Sequence, residues 1–165
     1  MQLKKDAVVL GIETSCDETA VGIVKGGRKI LADEIISSAA EHVRFGGVVP
    51  EIASRAHTEA VLEATKRALG AAGMSFGDID AIAVTYGAGL LGALLVGVSF
   101  AKGLAYALDK PLVAVNHIRG HIAAAYLADE ALEPPFVTLL ASGGHTAVIR
   151  VKDYLGHEVL GSTLD

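Results

Sequence analysis

Two histidines stand four residues apart in the segment NHIRGHIAAAY, residues 116–126. On a helix, His117 and His121 share one face, and both imidazoles come within reach of a single metal ion. The spacing matches His-Glu-x-x-His, in which the glutamate is the general base of a zinc protease; Ile118 holds that place here, which disfavours peptide hydrolysis. A metal centre needs at least one more protein ligand, for which His145 or an acidic group outside this sequence are candidates. Capping, packing and solvated roles are the alternatives for the pair. His42, His57 and His157 lack such neighbours in the sequence and read as surface or packing residues.

Two short polar turns form the second set of candidates. SGGHT, residues 142–146, combines a hydroxyl, glycine N–H groups and His145, a set that could wrap phosphate oxygens. ETSCDET, residues 13–19, is too acidic to hold phosphate alone; Thr14 and Ser15 could donate hydrogen bonds there while Glu13, Asp17 or Glu18 face a metal, an amine or water. Facing one another, two such turns could clamp a nucleotide; tight hairpins with no ligand are the alternative. GAGLLG, residues 87–92, fits the dinucleotide-binding pattern between a strand and a helix. Its strand is not the first of a βαβ unit, and Asn116 stands where a ribose-binding acid is needed, so the glycines read as a close-packing turn or as N–H donors to an anion. Cys16, the single cysteine, excludes an internal disulfide, fits a reducing cytosol and reads as inert.

The elements that must position these residues follow from periodicity. AVVLGIE, TAVGIV and KILADEIIS read as an antiparallel three-strand meander. Pro50 opens a helix with a stripe of Ile52, Ala56, Val61, Leu62, Ala68 and Leu69, closed by Gly70 and Gly73. A strand at IDAIAVTY, a helix at LGALLVGVSFAKGLAYAL, a strand at PLVAV and the histidine helix to about Asp129 follow. This order predicts an α/β layer with a mixed sheet. FVTLLASGGHTAVIRV then restarts the pattern, with a third strand near HEVLGS, and Thr-Ala-Val recurs at 19–21 and 146–148 in the same strand-turn-strand setting, which reads as duplication. The predicted division is 1–130 for a first lobe and 131–165 for the first strands of a second. A second lobe without covering helices leaves apolar faces exposed, so the chain is expected to be the amino-terminal part of something longer.

At 165 residues and 52% hydrophobic, the chain can bury a core. Its formal charge of -5 and pI near 5.6 argue against gripping nucleic acid through bulk positive charge, so any RNA contact needs help from elsewhere. The amino terminus does not read as a signal peptide, and the segment Gly87 to Ala101 falls short of the about 20 residues that span a bilayer. The expectation is a cytoplasmic protein with no membrane partner.

GIETSCDETAVGIV, GGVVPEIASRAH, GAGLLGALLVG, NHIRGH and LLASGGHT occur in the order and spacing of the TsaD/Gcp family, relatives of the archaeal and eukaryotic Kae proteins. The chain resembles that family over nearly its whole length. The resemblance implies an actin-like, sugar-kinase-like fold of two ribonuclease-H-like lobes with a nucleotide between them. It implies transfer of a threonylcarbamoyl group from threonylcarbamoyl-adenylate to the exocyclic amine of the adenosine next to the anticodon, in tRNAs reading codons that begin with A. By the same resemblance His117 and His121 hold one divalent metal, Fe or Zn, with an aspartate near the family's carboxyl terminus as third ligand. Leu140, Ala141, Ser142, Gly143 and Gly144 line the substrate and phosphate site, which ATP or AMP would fill as analogues. Ser15 and Asp17 approach it from the first lobe, and His145 and Glu13 are the candidate catalytic side chains. Implied partners are tRNA, a TsaB-like paralogue and a TsaE-like ATPase, with self-association through an exposed helical face left open.

Three departures stand out. The chain ends at LGSTLD where the family continues, Leu140 aligns with a metal-proximal tyrosine of archaeal members, and Arg119 stands where bacterial relatives often have glutamate. The isolated chain is therefore expected to be inactive. A non-catalytic nucleotide-binding or assembly module is the alternative, and a metalloprotease is the less favoured one.

Overall fold

The computed structural model describes residues 3–142 and 146–163. Contacts divide the chain into two units, Met1–Ile118 and Arg119–Asp165.

The first unit is a mixed five-stranded sheet with helices packed on it. Strands β1 (Val8–Glu13), β2 (Glu18–Lys25) and β3 (Lys29–Ser37) form the antiparallel meander that the alternating residues predict. A four-residue helix α1 (Ala39–His42) leads to α2 (Pro50–Ala72), then to β4 (Ala81–Gly87), α3 (Leu91–Ala107) and β5 (Leu112–Asn116). The sheet order is β3-β2-β1-β4-β5, with β1, β4 and β5 mutually parallel. Leu10, Val21, Ile23 and Ile82 are fully buried in the core. Each such side chain contributes about 1.5–3 kcal/mol relative to an exposed one.

Pro50 starts α2 because the first helical turn has no use for its missing N–H. Gly73 ends the helix in the left-handed region at φ 63°, its N–H bonding the Gly70 carbonyl while the Met74 N–H bonds that of Leu69. Gly70 itself lies inside the helix, so the expected early stop is corrected. The buried face also differs from the expected stripe. It is built from Ala53, His57, Val61, Ala64, Thr65, Ala68 and Leu69, whereas Leu62 is exposed and Ile52 and Ala56 are half-buried. Small residues on the sheet-facing side let α2 approach β2 and β3 closely, and that turns residue 62 outward. Along α3, Ala93, Gly97, Ala101 and Ala105 are buried at four-residue spacing, a narrow row of small side chains for the same purpose.

Helix α4 (His117–Ala128) begins at the end of the first unit. The second unit has the antiparallel sheet β6 (Phe136–Ala141), β7 (Thr146–Val151) and β8 (His157–Thr163). Tyr126 of α4 meets Phe136 edge to face with ring centroids 5.7 Å apart, and Tyr154 lies 5.4 Å away on another side.

The two meanders repeat in register. Glu13 pairs with Ala20 and Val24 with Ile30 in the first; the residues at the same sequence offset, Leu140 with Ala147 and Val151 with His157, pair in the second. Thr19 opposite Ile36 likewise corresponds to Thr146 opposite Thr163. This supports duplication far better than a shared tripeptide. Ile12 and Val21 point into the core beneath α2 and α3, while their counterparts Leu139 and Val148 are exposed, Leu139 by 66%, and Ala147, Ile149 and Val151 are buried instead.

Candidate functional site

In a sheet with parallel strands, side chains at the carboxyl ends lie where a ligand can approach, because chain direction changes there. β1 ends at Glu13, β4 carries Thr85 near its end, and β5 ends at Asn116 with His117 next in the chain. The register places Ile12 beside Val84, so Glu13 and Thr85 are neighbours on adjacent strands.

These ends share hydrogen bonds. The Thr85 hydroxyl donates to Glu13 Oε2 at 2.6 Å, His117 Nδ1 lies 3.1 Å from the same oxygen, and the Ser15 N–H donates to Oε1. Ser15 Oγ lies 3.2 Å from His117 Nδ1. Burial pushes the Glu13 carboxyl pKa up, but hydrogen bonds from Ser15, Thr85 and His117 outweigh it and hold the pKa below the ordinary glutamate range. An ionised Glu13 only accepts, so His117 Nδ1 carries a proton, and in the neutral form of the ring the lone pair is on Nε2. A carboxylate on one ring nitrogen is the arrangement that orients a metal-ligating imidazole, and the donor set at His117 therefore fits a metal.

The turn after β1 is fastened at each residue. The buried Thr14 hydroxyl donates to the Ala93 carbonyl at 2.9 Å, and the Ser15 carbonyl accepts from the Leu90 N–H at 2.8 Å. Here the glycines of GAGLLG find their use. A Cβ on Gly89 would sit 2.6 Å from the Ser15 carbonyl oxygen, and one on Gly92 would sit 2.6 Å from Ser54 Oγ. Gly89 lets the loop close on the Ser15 turn and Gly92 lets α3 approach Ser54 of α2, which supports the close-packing reading of the motif for these two glycines. The Cys16 thiol is exposed, and burial of part of it together with the Asp17 side chain raises its pKa, so it is a poor nucleophile.

Of the residues singled out from sequence, Glu13, Ser15 and His117 are thus brought together. Asp17 is half-buried in the same turn, its carbonyl accepting from the Ser38 N–H and hydroxyl. His121 is exposed on α4, one helical turn after His117. Leu140 and Ala141 end β6 and Ser142 follows them. Gly143, Gly144 and His145 lie outside the described residues. Among the described residues no group of three or more His, Cys, Asp or Glu side chains is arranged to hold a metal ion.

Sequence reasoning missed Thr85, His57 and His42. His57, expected to be a surface or packing residue, is fully buried and bonds both Thr19 and the Cys16 carbonyl. His42 is buried as well and bonds Ser38. His57 alone lies within one of the recognised segments, GGVVPEIASRAH, and Thr85 and His42 lie outside all of them.

Residues 29–165 match the family model described as TsaD: tRNA N6-adenosine threonylcarbamoyltransferase. The chain belongs to the TsaD family. A relative named tRNA N6-adenosine threonylcarbamoyltransferase from Clostridium perfringens is 58% identical over 158 residues, covering 96% of this chain and 47% of the relative. One of the same name from Staphylococcus aureus is 53% identical over 163 residues, covering 99% and 48%. The chain spans about half the length of the curated relatives it matches. Among solved structures, YeaZ from Pseudomonas aeruginosa aligns with a TM-score of 0.61 at 18% identity, over 96% of this chain and 67% of that one. Component A of (R)-2-hydroxyglutaryl-CoA dehydratase from Acidaminococcus fermentans aligns at 0.51 and 14% identity, over 96% and 47%. These likenesses show the actin-like fold expected for the family. No helix among the described residues is long and apolar enough to cross a membrane.

Proposed function

We propose that this chain supplies the amino-terminal part of a tRNA-modifying transferase, which moves a threonylcarbamoyl group from threonylcarbamoyl-adenylate to the exocyclic amine of the adenosine beside the anticodon. The observation that carries this reading is family membership over residues 29–165, joined to relatives of that name at 58% and 53% identity. The geometry at the strand ends is compatible with it.

In this reading His117 and His121 hold one divalent ion, Fe or Zn, with a further ligand from outside the described residues. When bound, such an ion polarises the carbonyl under attack and favours the charge that develops on its oxygen. Glu13 keeps the His117 proton on Nδ1 and fixes the ring plane. The family resemblance assigns nucleotide binding to Ser15 and Asp17 and to Leu140, Ala141, Ser142, Gly143 and Gly144, with His145 a candidate catalytic side chain. Positioning the adenylate against the incoming amine makes the step effectively unimolecular. The amine attacks the carbonyl, AMP leaves with the bonding pair, and the amine's proton is lost to a base; Glu13 and His145 are the candidates.

The proposed partners are tRNA, a TsaB-like paralogue and a TsaE-like ATPase, in the cytoplasm. A shared fold with YeaZ supports a paralogue of the same architecture. Since the chain is acidic overall, tRNA contact relies on surfaces beyond these residues.

The test joins this chain to the carboxyl-terminal half of the Clostridium perfringens relative and assays threonylcarbamoylation of tRNA with both protein partners present. The chimera is expected to modify tRNA, and His117→Ala/His121→Ala is expected to abolish transfer and metal content together. The isolated chain is expected to transfer nothing. An inactive chimera beside an active parent refutes the assignment.

A further inference from the structure

The turn that carries Glu13 and Ser15 is gripped from the opposite side by two buried histidines. His57 Nε2 lies 2.9 Å from the Cys16 carbonyl, which only accepts, so that nitrogen carries the proton. His57 Nδ1 then accepts the Thr19 hydroxyl at 2.7 Å. In His42 the assignment runs from the other nitrogen. The Val49 N–H donates to Nδ1 at 3.3 Å, so Nε2–H donates to Ser38 Oγ at 3.1 Å. The Ser38 hydroxyl passes the chain on to the Asp17 carbonyl at 2.7 Å, and the Ser38 N–H reaches the same oxygen at 3.0 Å.

Two successive carbonyls of one turn therefore end on two separate histidine-headed chains. A packing role alone does not call for this. The position of His57 faces the sheet between Ala53 and Val61, where an aliphatic residue would fill space without the desolvation cost of an imidazole. A fully satisfied polar network instead selects one conformation of what it touches.

We propose that His57 and His42 are positioning residues that hold the turn Thr14–Asp17 in the conformation bringing Glu13 and Ser15 to His117. The inference rests on reading that turn as a wall of the substrate cleft. Neither histidine touches substrate in this account; each acts through the turn backbone.

Cys16 makes the inference testable in the protein as it stands, because the single cysteine is exposed and lies within the gripped turn. His57→Leu removes both bonds and is expected to speed alkylation of Cys16 by iodoacetamide about five-fold or more, through local opening and easier thiolate formation. His57→Gln retains a donor for the Cys16 carbonyl and an acceptor for Thr19, and is expected to stay within about two-fold of the parent. Val61→Ala, one turn along the same buried face, is the stability control: it lowers the urea midpoint while leaving the alkylation rate within about two-fold. Ser38→Ala cuts the second chain beside Asp17 without enlarging the core, so it serves if His57→Leu does not fold, and a rise of about two-fold or more is expected. Unchanged alkylation in His57→Leu, or in Ser38→Ala where the first variant does not fold, overturns the inference. An equal rise in Val61→Ala does so too. These arms need no transfer activity, so an inactive chimera would count against the proposed function alone.

Discussion

Glu13→Gln isolates what the carboxylate does at the strand ends. The substituted amide has one oxygen to offer, and two sites compete for it. The Ser15 N–H, which faces Oε1, is a backbone donor that cannot reverse, so it takes the amide oxygen. The amide NH2 must then face Thr85 and His117, the partners of Oε2. Thr85 can rotate its hydroxyl and accept. His117 can accept only by moving its proton from Nδ1 to Nε2. The expected result is inversion of the His117 tautomer, read at about pH 8 from long-range nitrogen–proton spectra of labelled protein, with His117→Ala to assign the ring.

A hydrogen bond to a charged group contributes about 1.5–3 kcal/mol. The Glu13 side chain is 34% exposed and that of His117 32%, so solvent screening lowers the expected loss for Glu13→Gln to about 1–2 kcal/mol at neutral pH. The sign of the pH dependence follows from the depressed Glu13 pKa. Between the unfolded value of about 4.5 and the lower folded one, the unfolded chain binds more protons, so the stabilisation is complete above that window and disappears as pH falls through it. Urea midpoints of parent and variant should therefore differ at pH 7 and converge in acid, with the other low-pKa carboxylates cancelling in the comparison. A His117 ring that keeps its proton on Nδ1, with a stability gap independent of pH, would refute the reasoning.

Two further substitutions test the packing that supports the site. Gly97→Ala puts a Cβ 2.3 Å from Thr14 Oγ1 and 3.3 Å from its Cβ, so α3 or the turn must give way; a loss of about 1–3 kcal/mol is expected in urea unfolding. In the second unit, Leu139→Gln on the exposed face is expected to stay within about 0.5 kcal/mol of the parent, whereas Ile149→Ala on the buried face costs about 2–5 kcal/mol.

What was legible in the sequence was what repeats over short distances. Strand alternation located the meander, Pro50 and Gly73 bracketed α2, and the recurrence of Thr-Ala-Val at 19–21 and 146–148 pointed to a second meander that pairs in the same register. Periodicity could not say which face each copy buries. That depends on which helices cover it: Val21 lies beneath α2 and α3, and its counterpart Val148 is exposed among the described residues. The α2 stripe misled for a related reason: Leu62 looks more like core than Ala64 by composition, but close approach to a sheet favours the smaller residue.

At the site, Glu13, Ser15 and His117 stood out because their types are unusual after apolar runs. Thr85, His57 and His42 gave no such sign, since a threonine in a strand and histidines near a helix start are ordinary until folding brings their partners near. Thr85 meets Glu13 across 72 residues and His57 meets Cys16 across 41. Residues that could do chemistry are thus easier to read than residues that hold them in place. The first announce themselves by type, whereas the second are defined only by the partner they satisfy. Gly89 and Gly92 of GAGLLG belong with the second group despite the motif-like appearance, because each records how closely something else approaches. Gly89 admits the Ser15 backbone and Gly97 admits Thr14, so two glycines from one helix and its leading loop set how closely the acidic turn packs against α3.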